Sequence, residues 1–195
     1  MKYSIQHILA ETSHREWNYP TTKWKYYQEW NNALFFHYQI DTKIVRELVP
    51  NELEVDEING SAWVSLVAFT MEKIRPRFLP AFPPISDFDE INLRTYVSKD
   101  GKPGVYFLSI EAGKLFSAIL AKSLSGLPYE KSKVKRTSNS YQANHQKRNF
   151  SLLADFHVGM KVKHKTEVDL FLTERYCLYL EENNHLSRFE IQHLP

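Results

Sequence analysis

The alternation of apolar and polar positions is clearest over residues 87–111, where the chain reads DFDEINLRTYVSKDGKPGVYFLSIE. Two alternating stretches flank Asp100-Gly101, a dipeptide typical of the two-residue turn of a β-hairpin. Pairing Lys99 with Lys102 across this turn sets the register of the two strands. Since directly opposed residues share one face of a sheet, the pattern predicts a hairpin with one aliphatic face and one polar face.

The polar face of this hairpin is the first candidate for chemistry. Glu90 and Glu111 are predicted to lie directly opposite each other, with Asn92 and Arg94 farther along the same face. Opposed like charges destabilise a sheet unless a cation or a shared proton neutralises them. Burial in an apolar interior would raise the pKa of a carboxyl and suit it to acid/base catalysis. A structural salt-bridge network would use the same residues, and the sequence leaves both alternatives open.

Further strands follow from apolar runs bounded by turn residues. The predicted strands cover residues 33–40, 53–55, 62–71, 175–180 and 186–191, with two or three more between 131 and 158. The segment 53–55 is expected to pair with 62–71 across an Asn59-Gly60 turn. The last two strands are expected to form a hairpin.

Short helices are predicted between these strands. They cover residues 23–31, a segment after Asp41, residues 115–122, and residues 166–173. Thr166 and Asp169 have the spacing of a capping box at the start of the last helix. The run RPRFLPAFPPIS contains four prolines, so it is predicted to be irregular. We expect it to pack down, either as a cover for a sheet edge or as a lid over a cavity.

Length and composition indicate one globular domain over residues 1–195. The 43% hydrophobic content is ordinary, and Cys177, the single cysteine, excludes an internal disulfide. No apolar run approaches the roughly 18 residues of a membrane helix, and no signal-peptide pattern opens the chain, so a cytoplasmic protein is predicted. The fold class is predicted to be mainly β (α+β), with the strands in a closed or nearly closed antiparallel β-barrel.

Charge is unevenly distributed along the chain. Residues 114–165 contain eleven lysines and arginines against Glu130 and Asp155, although the whole chain has a net charge of only +2. A basic block can bind nucleic acid, but no recognition motif accompanies this one. We therefore favour an ordinary solvated surface over a nucleic-acid site.

Several motifs occur in an order that resembles a known family. They are FFHYQI, LVPNELEVDEINGSAWVSLVAFTM, RPRFLP, DEINLRTYV, GKPGVYFLSIEA, GLPY, LTERYCLY and a late His-x-Pro. Together they resemble the YqjF-like family of uncharacterised conserved proteins, which is grouped with the acetoacetate decarboxylase-like superfamily, and the similarity covers about residues 30–195. The resemblance implies a mainly antiparallel, cone-like β-barrel with a few short helices around a small cavity. It also implies that Glu90 corresponds to a glutamate that lines this cavity.

The resemblance does not extend to the Schiff-base chemistry of the decarboxylases. Those enzymes use a lysine in an adjacent pair after a Gly-aromatic-Pro turn. Here Gly126-Leu127-Pro128 is followed by Tyr129-Glu130, so both lysines are missing. We expect no covalent adduct with a keto acid.

Three other residues are weaker candidates for ligand contact. Arg175 and Tyr176 lie where a predicted helix passes into a strand, which would aim them toward a barrel mouth. Tyr129 could offer its hydroxyl to a ligand, or it could be a core residue with one hydrogen bond.

The eight histidines show no HxH or HExxH spacing, so no metal site is predicted. No nucleophile or nucleotide-binding motif appears, and no cofactor is predicted.

Two functions are consistent with these residues. The first is a small-molecule-binding barrel that acts as a lyase- or hydrolase-type enzyme on a small organic acid, with Glu90 as the acid/base and Arg94 as an anion clamp. Asn92 and Tyr129 would orient the ligand. The second is a non-catalytic ligand-binding or sensing protein that uses the same cavity. The sequence does not identify the ligand, although an arginine clamp would require it to be anionic. It also does not show whether the chain forms a homo-oligomer.

Overall fold

Strands dominate the computed structural model, which describes residues 3–114, 129–145 and 149–195. They form two sheets, one of eight strands and one of three. The eight-stranded sheet consists of β1 (Tyr26–Ile40), β2 (Glu54–Val55), β3 (Ala62–Pro76), β4 (Phe88–Lys99), β5 (Lys102–Ala112), β6 (Tyr129–Lys131), β10 (Cys177–Glu182) and β11 (His185–Glu190). The three-stranded sheet consists of β7 (Lys133–Arg136), β8 (Ser140–His145) and β9 (Phe150–Asp155).

The large sheet has the strand order β1-β3-β4-β5-β10-β11, with β2 paired to β4 and β6 paired to β5. Most neighbours are antiparallel, whereas β6 and β10 run parallel to β5. Among the described residues the end strands β1 and β11 do not pair with each other, so the sheet does not close on itself. The mainly β class is confirmed, and closure into a barrel stays a prediction.

Four short helices lie within the described ranges: α1 (Ile5–Ala10), α2 (Thr42–Leu48), α3 (Pro83–Ser86) and α4 (Glu167–Thr173). The predicted caps of two of them are confirmed, since Asp41 accepts a hydrogen bond from the Lys43 backbone and Thr166 and Asp169 form a capping box. The helix predicted over 115–122 lies outside the described residues. No helix in the described part of the chain is both long and apolar enough to cross a membrane.

Strand β4 is central, and its two faces are covered differently. On the face that carries Glu90, here called the Glu90 face, the core includes Phe69 of β3, Ile110 of β5 and Tyr129 of β6. On the opposite face, here called the Ile91 face, the three-stranded sheet packs with Tyr141 and Ala143 against Ile91 and Ala68. Both faces of β4 are therefore covered, which explains why none of its residues is exposed.

Two predicted elements are wrong. Residues 26–31 belong to β1 rather than to a helix, because register shifts between Tyr27 and Glu29 and between Asn31 and Leu34 break the period-two pattern of the strand. The segment predicted to pair with β3 pairs instead with β4, through Glu54 and Val55 opposite Ser98 and Val97.

The proline-rich run does not pack down as expected. Its first part extends β3 as far as Pro76, and its last part forms α3. Between them, Phe78, Leu79 and Phe82 are 86%, 58% and 61% exposed, so these side chains cover no part of the core.

Candidate functional site

The central hairpin has the predicted turn but not the predicted register along its whole length. Asp100 and Gly101 both have positive φ angles, 53° and 69°, and Lys99 pairs with Lys102. Pairing then follows the prediction as far as Arg94 opposite Phe107. Beyond this point a bulge shifts β5 by one residue relative to β4.

The bulge separates the two carboxylates that were expected to face each other. Leu93 pairs with Ser109, which leaves Leu108 as the extra residue, and Glu111 then lies opposite Ile91. Glu90 lies opposite Ala112 instead. Because a one-residue slip moves a side chain to the other face of a sheet, Glu111 lies on the Ile91 face, and its predicted place beside Glu90 is wrong.

Glu90 lies in the interior of the protein. It is 1% exposed and is flanked in the sheet by Phe69 and Ala112. Asn92 Nδ2 donates to its Oε1 at 3.2 Å, and the Tyr129 hydroxyl donates to its Oε2 at 3.0 Å. Burial raises the pKa of Glu90 to about 7, although both hydrogen bonds stabilise the charged form and lower it. Such a carboxyl can give or take a proton near neutral pH.

Tyr129 is positioned by the parallel pairing of β6 with β5, which sets it beside Ile110. Burial, together with the nearby Glu90 carboxylate, raises the pKa of Tyr129 well above its ordinary value. The phenol therefore keeps its proton and acts as a donor. From the other side of the sheet, the Tyr141 hydroxyl donates to the Glu90 backbone carbonyl at 2.9 Å and holds the strand in place.

Arg94 and Arg175 form a cationic end to the site. Arg94 Nη2 donates to the Leu172 carbonyl at 3.0 Å. Arg175 Nη1 lies 2.5 Å from Asp56 Oδ2, and its guanidinium packs 4.1 Å from the Phe171 ring centroid. The Arg94 and Arg175 guanidiniums lie 5.7 Å and 5.2 Å from the ring centroid of Tyr96, so they converge on one aromatic side chain.

Four buried polar atoms on or beside the Glu90 face have no hydrogen-bond partner among the described residues. They are Trp30 Nε1, Trp63 Nε1, Asn92 Oδ1 and Arg94 Nε. A buried donor or acceptor left unpaired costs roughly 1–3 kcal/mol. A polar ligand placed against this face would satisfy some of these groups.

A hydrogen-bonded chain beside Arg94 was missed by the sequence analysis. His37 Nδ1 lies 2.6 Å from Ser65 Oγ, which lies 2.5 Å from the Tyr96 hydroxyl. Tyr96 also donates to the Leu172 carbonyl at 3.1 Å. Burial and the nearby Arg94 charge lower the pKa of His37. Period-two alternation indicates which residues of each strand share a face. The sequence does not show that β1, β3 and β4 pair, and this pairing is what brings His37, Ser65 and Tyr96 together.

Tyr176, another predicted residue, lies apart from this cluster. Tyr176 stacks on His193 at 4.6 Å between ring centroids and contacts the Arg15 guanidinium, so it packs against the two ends of the chain. Lys131 and Lys133, the nearest lysines to the expected Schiff-base positions, are exposed. The turn at 126–128 lies outside the described residues.

The chain matches the profile of a family described as an uncharacterized conserved protein, DUF2071, over residues 27–195. It is also 38% identical to the uncharacterized protein YqjF of Bacillus subtilis (strain 168) over 183 residues, which is 90% of this chain and 76% of that protein. The chain belongs to this family. The resemblance seen in the sequence motifs is thereby confirmed.

Solved structures extend the likeness at the level of the fold. An acetoacetate decarboxylase aligns with a TM-score of 0.52 at 18% identity, over 82% of this chain and 61% of the enzyme. The enduracididine biosynthesis enzyme MppR complexed with pyruvate aligns with a TM-score of 0.55 at 11% identity, over 86% of this chain and 69% of that enzyme. An acetoacetate decarboxylase-like enzyme from Sphingomonas wittichii RW1 aligns with a TM-score of 0.55 at 15% identity, over 84% of this chain and 70% of that enzyme. This chain spans about three-fifths of the decarboxylase, and the likeness supports a common fold.

Proposed function

We propose that the Glu90 face binds a small organic acid and that Glu90 is the acid/base of a lyase- or hydrolase-type reaction on it. The observation that carries this proposal is a fully buried carboxyl that accepts hydrogen bonds from two side chains, and burial raises its pKa to about 7. A general acid or base works best when its pKa is close to the working pH. Two fixed donors, Asn92 and Tyr129, hold this carboxyl in one orientation.

The cationic end would bind the carboxylate of the ligand. Glu90 and Arg94 are four residues apart on one strand, which corresponds to about 13 Å between their backbones. The long Arg94 side chain can shorten that gap, and Asn92 lies between the two. Arg94 Nε would then donate to the ligand and Asn92 Oδ1 would accept from it, which supports an anionic group at one end and a hydroxyl beside Glu90.

Proton transfer fits these residues better than covalent catalysis. Tyr129 and Glu130 stand where the resemblance to the decarboxylases would require lysines, and the Tyr129 hydroxyl donates to Glu90. A Schiff base needs a lysine with a depressed pKa inside the site, whereas Lys131 and Lys133 are exposed. Glu90 would therefore act directly on a proton of the ligand. We also infer that the large sheet encloses the cavity for this ligand in the manner of a cone-like barrel.

Ligand binding can be tested before any reaction is known. Pyruvate, which is named in one MppR complex, is the first probe, followed by other small 2-oxo and hydroxy acids. We expect one of these acids to raise the melting temperature of the wild-type protein and of Glu90→Gln, and to be consumed only by the wild type in an NMR assay. If no acid in the panel shifts the melting temperature of the wild type, the proposal is wrong.

The same experiment decides between the enzyme and a sensing protein. Missing lysines favour the second function, because a decarboxylase-like fold without its nucleophile retains a binding cavity. A non-catalytic protein would bind the acid and leave it unchanged, in the wild type as in Glu90→Gln. Borohydride with a keto acid should give no mass adduct in either case, and an adduct would contradict the non-covalent mechanism.

A further inference from the structure

A second group of polar side chains lies on the Ile91 face, away from the Glu90 site. Glu111 of β5, Glu130 of β6 and His145 of β8 bring one ligand atom each within 4.8 Å of one another. We propose that these three residues bind a divalent transition-metal ion. The proposal is independent of the function assigned to Glu90.

The distances between the donor atoms suit a metal ion. His145 Nε2 lies 3.1 Å from Glu130 Oε2 and 3.6 Å from Glu111 Oε2. Zinc bonds to imidazole nitrogen and carboxylate oxygen are about 2.0–2.2 Å long. Tetrahedral ligands at that length lie about 3.3–3.6 Å apart, which is close to the two observed distances. Both distances from His145 are therefore close to the spacing that an ion would impose, and the two carboxylate oxygens lie within 4.8 Å of each other.

The donor set favours a first-row transition metal over magnesium or calcium. One imidazole and two carboxylates match the nitrogen and oxygen ligands of zinc and manganese, whereas magnesium and calcium prefer oxygen alone. Three protein ligands leave at least one coordination position for water or a ligand. Zinc should bind more tightly than manganese, following the usual order of divalent affinities.

The fold holds these ligands in place. Glu111 and His145 side chains are 5% and 6% exposed, while the Glu130 side chain is 38% exposed and provides a route to solvent. Glu111 and Glu130 are register partners in the parallel β5–β6 pair. His145 ends β8 of the small sheet, so an ion at this point would link the two sheets. Metal binding should then raise the stability of the fold.

Zinc titration of the metal-free wild type by calorimetry tests the proposal. We expect one zinc ion per chain and tighter binding than for manganese. At 100 times the dissociation constant, zinc should raise the melting temperature by about 5 °C or more. Glu130→Gln and His145→Asn should each weaken binding at least tenfold.

The variants are chosen so that misfolding does not obscure the result. Glu130 is the most exposed ligand, and Glu130→Gln retains its size, so this variant should fold as the wild type does. His157→Asn removes an exposed histidine outside the cluster and should bind zinc as tightly as the wild type. Equal binding by the wild type and Glu130→Gln, or no binding by the wild type, would show that the three residues form only a hydrogen-bonded ion cluster.

Discussion

The Tyr129 hydroxyl donates a hydrogen bond to Glu90 Oε2 at 3.0 Å, in a part of the core where both residues are more than 90% buried. The phenol keeps its proton because its own pKa is raised, so it always acts as the donor. Its effect on Glu90 is to stabilise the carboxylate against the cost of burial. The balance between these two effects sets the proton affinity of the proposed acid/base.

Replacing Tyr129 by phenylalanine should raise the pKa of Glu90 above its value of about 7. The substitution removes one of the two side-chain donors and leaves the burial unchanged, so the neutral carboxyl is favoured further. Titration of ¹³C-labelled glutamate carboxyls by NMR measures the shift. Tyr141→Phe is the matched control, since that hydroxyl donates to the Glu90 backbone carbonyl rather than to the carboxylate. An equal shift in both variants would contradict the account.

Glu90→Gln should change the pH dependence of stability. The folded pKa of about 7 lies above the ordinary value of 4.5, so folding binds a proton between these pH values and wild-type stability falls as the pH rises through that window. Glutamine resembles the neutral carboxyl at every pH. From pH 4 to pH 8, the variant should gain about 3 kcal/mol in unfolding free energy relative to the wild type. Urea unfolding at both pH values measures this difference, and a constant difference would contradict the raised pKa.

Arg94→Lys should weaken the binding of a carboxylate ligand about tenfold without abolishing the fold. The variant retains a positive charge but loses Nε–H and the planar fork that binds a carboxylate at two points. Affinity is measured with the acid that binds the wild type most tightly. Arg188→Gln is the control, because that side chain is 35% exposed and pairs with Glu190. Equal affinities in the wild type and Arg94→Lys would remove Arg94 from the binding site.

Gly104→Ala should destabilise the protein by about 3 kcal/mol, since overpacking a core usually costs about 1–3 kcal/mol. An added Cβ would lie 2.6 Å from the Cys177 carbonyl oxygen and 2.8 Å from a Tyr179 ring carbon. The clash would separate β5 from β10 where they pair in parallel. At Gly159 an added Cβ meets nothing within 4 Å, so Gly159→Ala should have little effect. Similar denaturation midpoints for both variants would contradict the packing of β10 on β5.

Local features of the fold were predictable from the sequence. The Asp100-Gly101 turn and the capping box of Thr166 and Asp169 depend on neighbouring residues alone, and both occur as predicted. The bulge at Leu108 has no such signal, because no glycine or change of composition marks it. Every residue of β5 beyond it was therefore assigned to the wrong face, including Glu111.

The remaining parts of the site depend on contacts between distant segments. Glu90, Asn92 and Arg94 share one face, as their spacing predicts. Tyr129 joins them only because β6 pairs with β5, and the two strands are separated by 16 residues in the sequence. His145 contacts Glu111 only because the three-stranded sheet packs against the eight-stranded sheet. The helix predicted over residues 23–31 is wrong because Tyr27 and Trp30 are spaced as in a helix, whereas a register shift between Tyr27 and Glu29 produces this spacing within a strand.

Measuring the pKa of Glu90 tests the proposed acid/base site most directly. Carboxyl titration of the wild type and of Glu90→Gln by ¹³C NMR identifies the Glu90 resonance as the one that the variant lacks. We predict that this resonance titrates with a midpoint near pH 7, in agreement with a pKa of about 7. If it titrates with the other glutamates, below about pH 5.5, Glu90 is an ordinary ionised carboxylate and the proposed site is wrong.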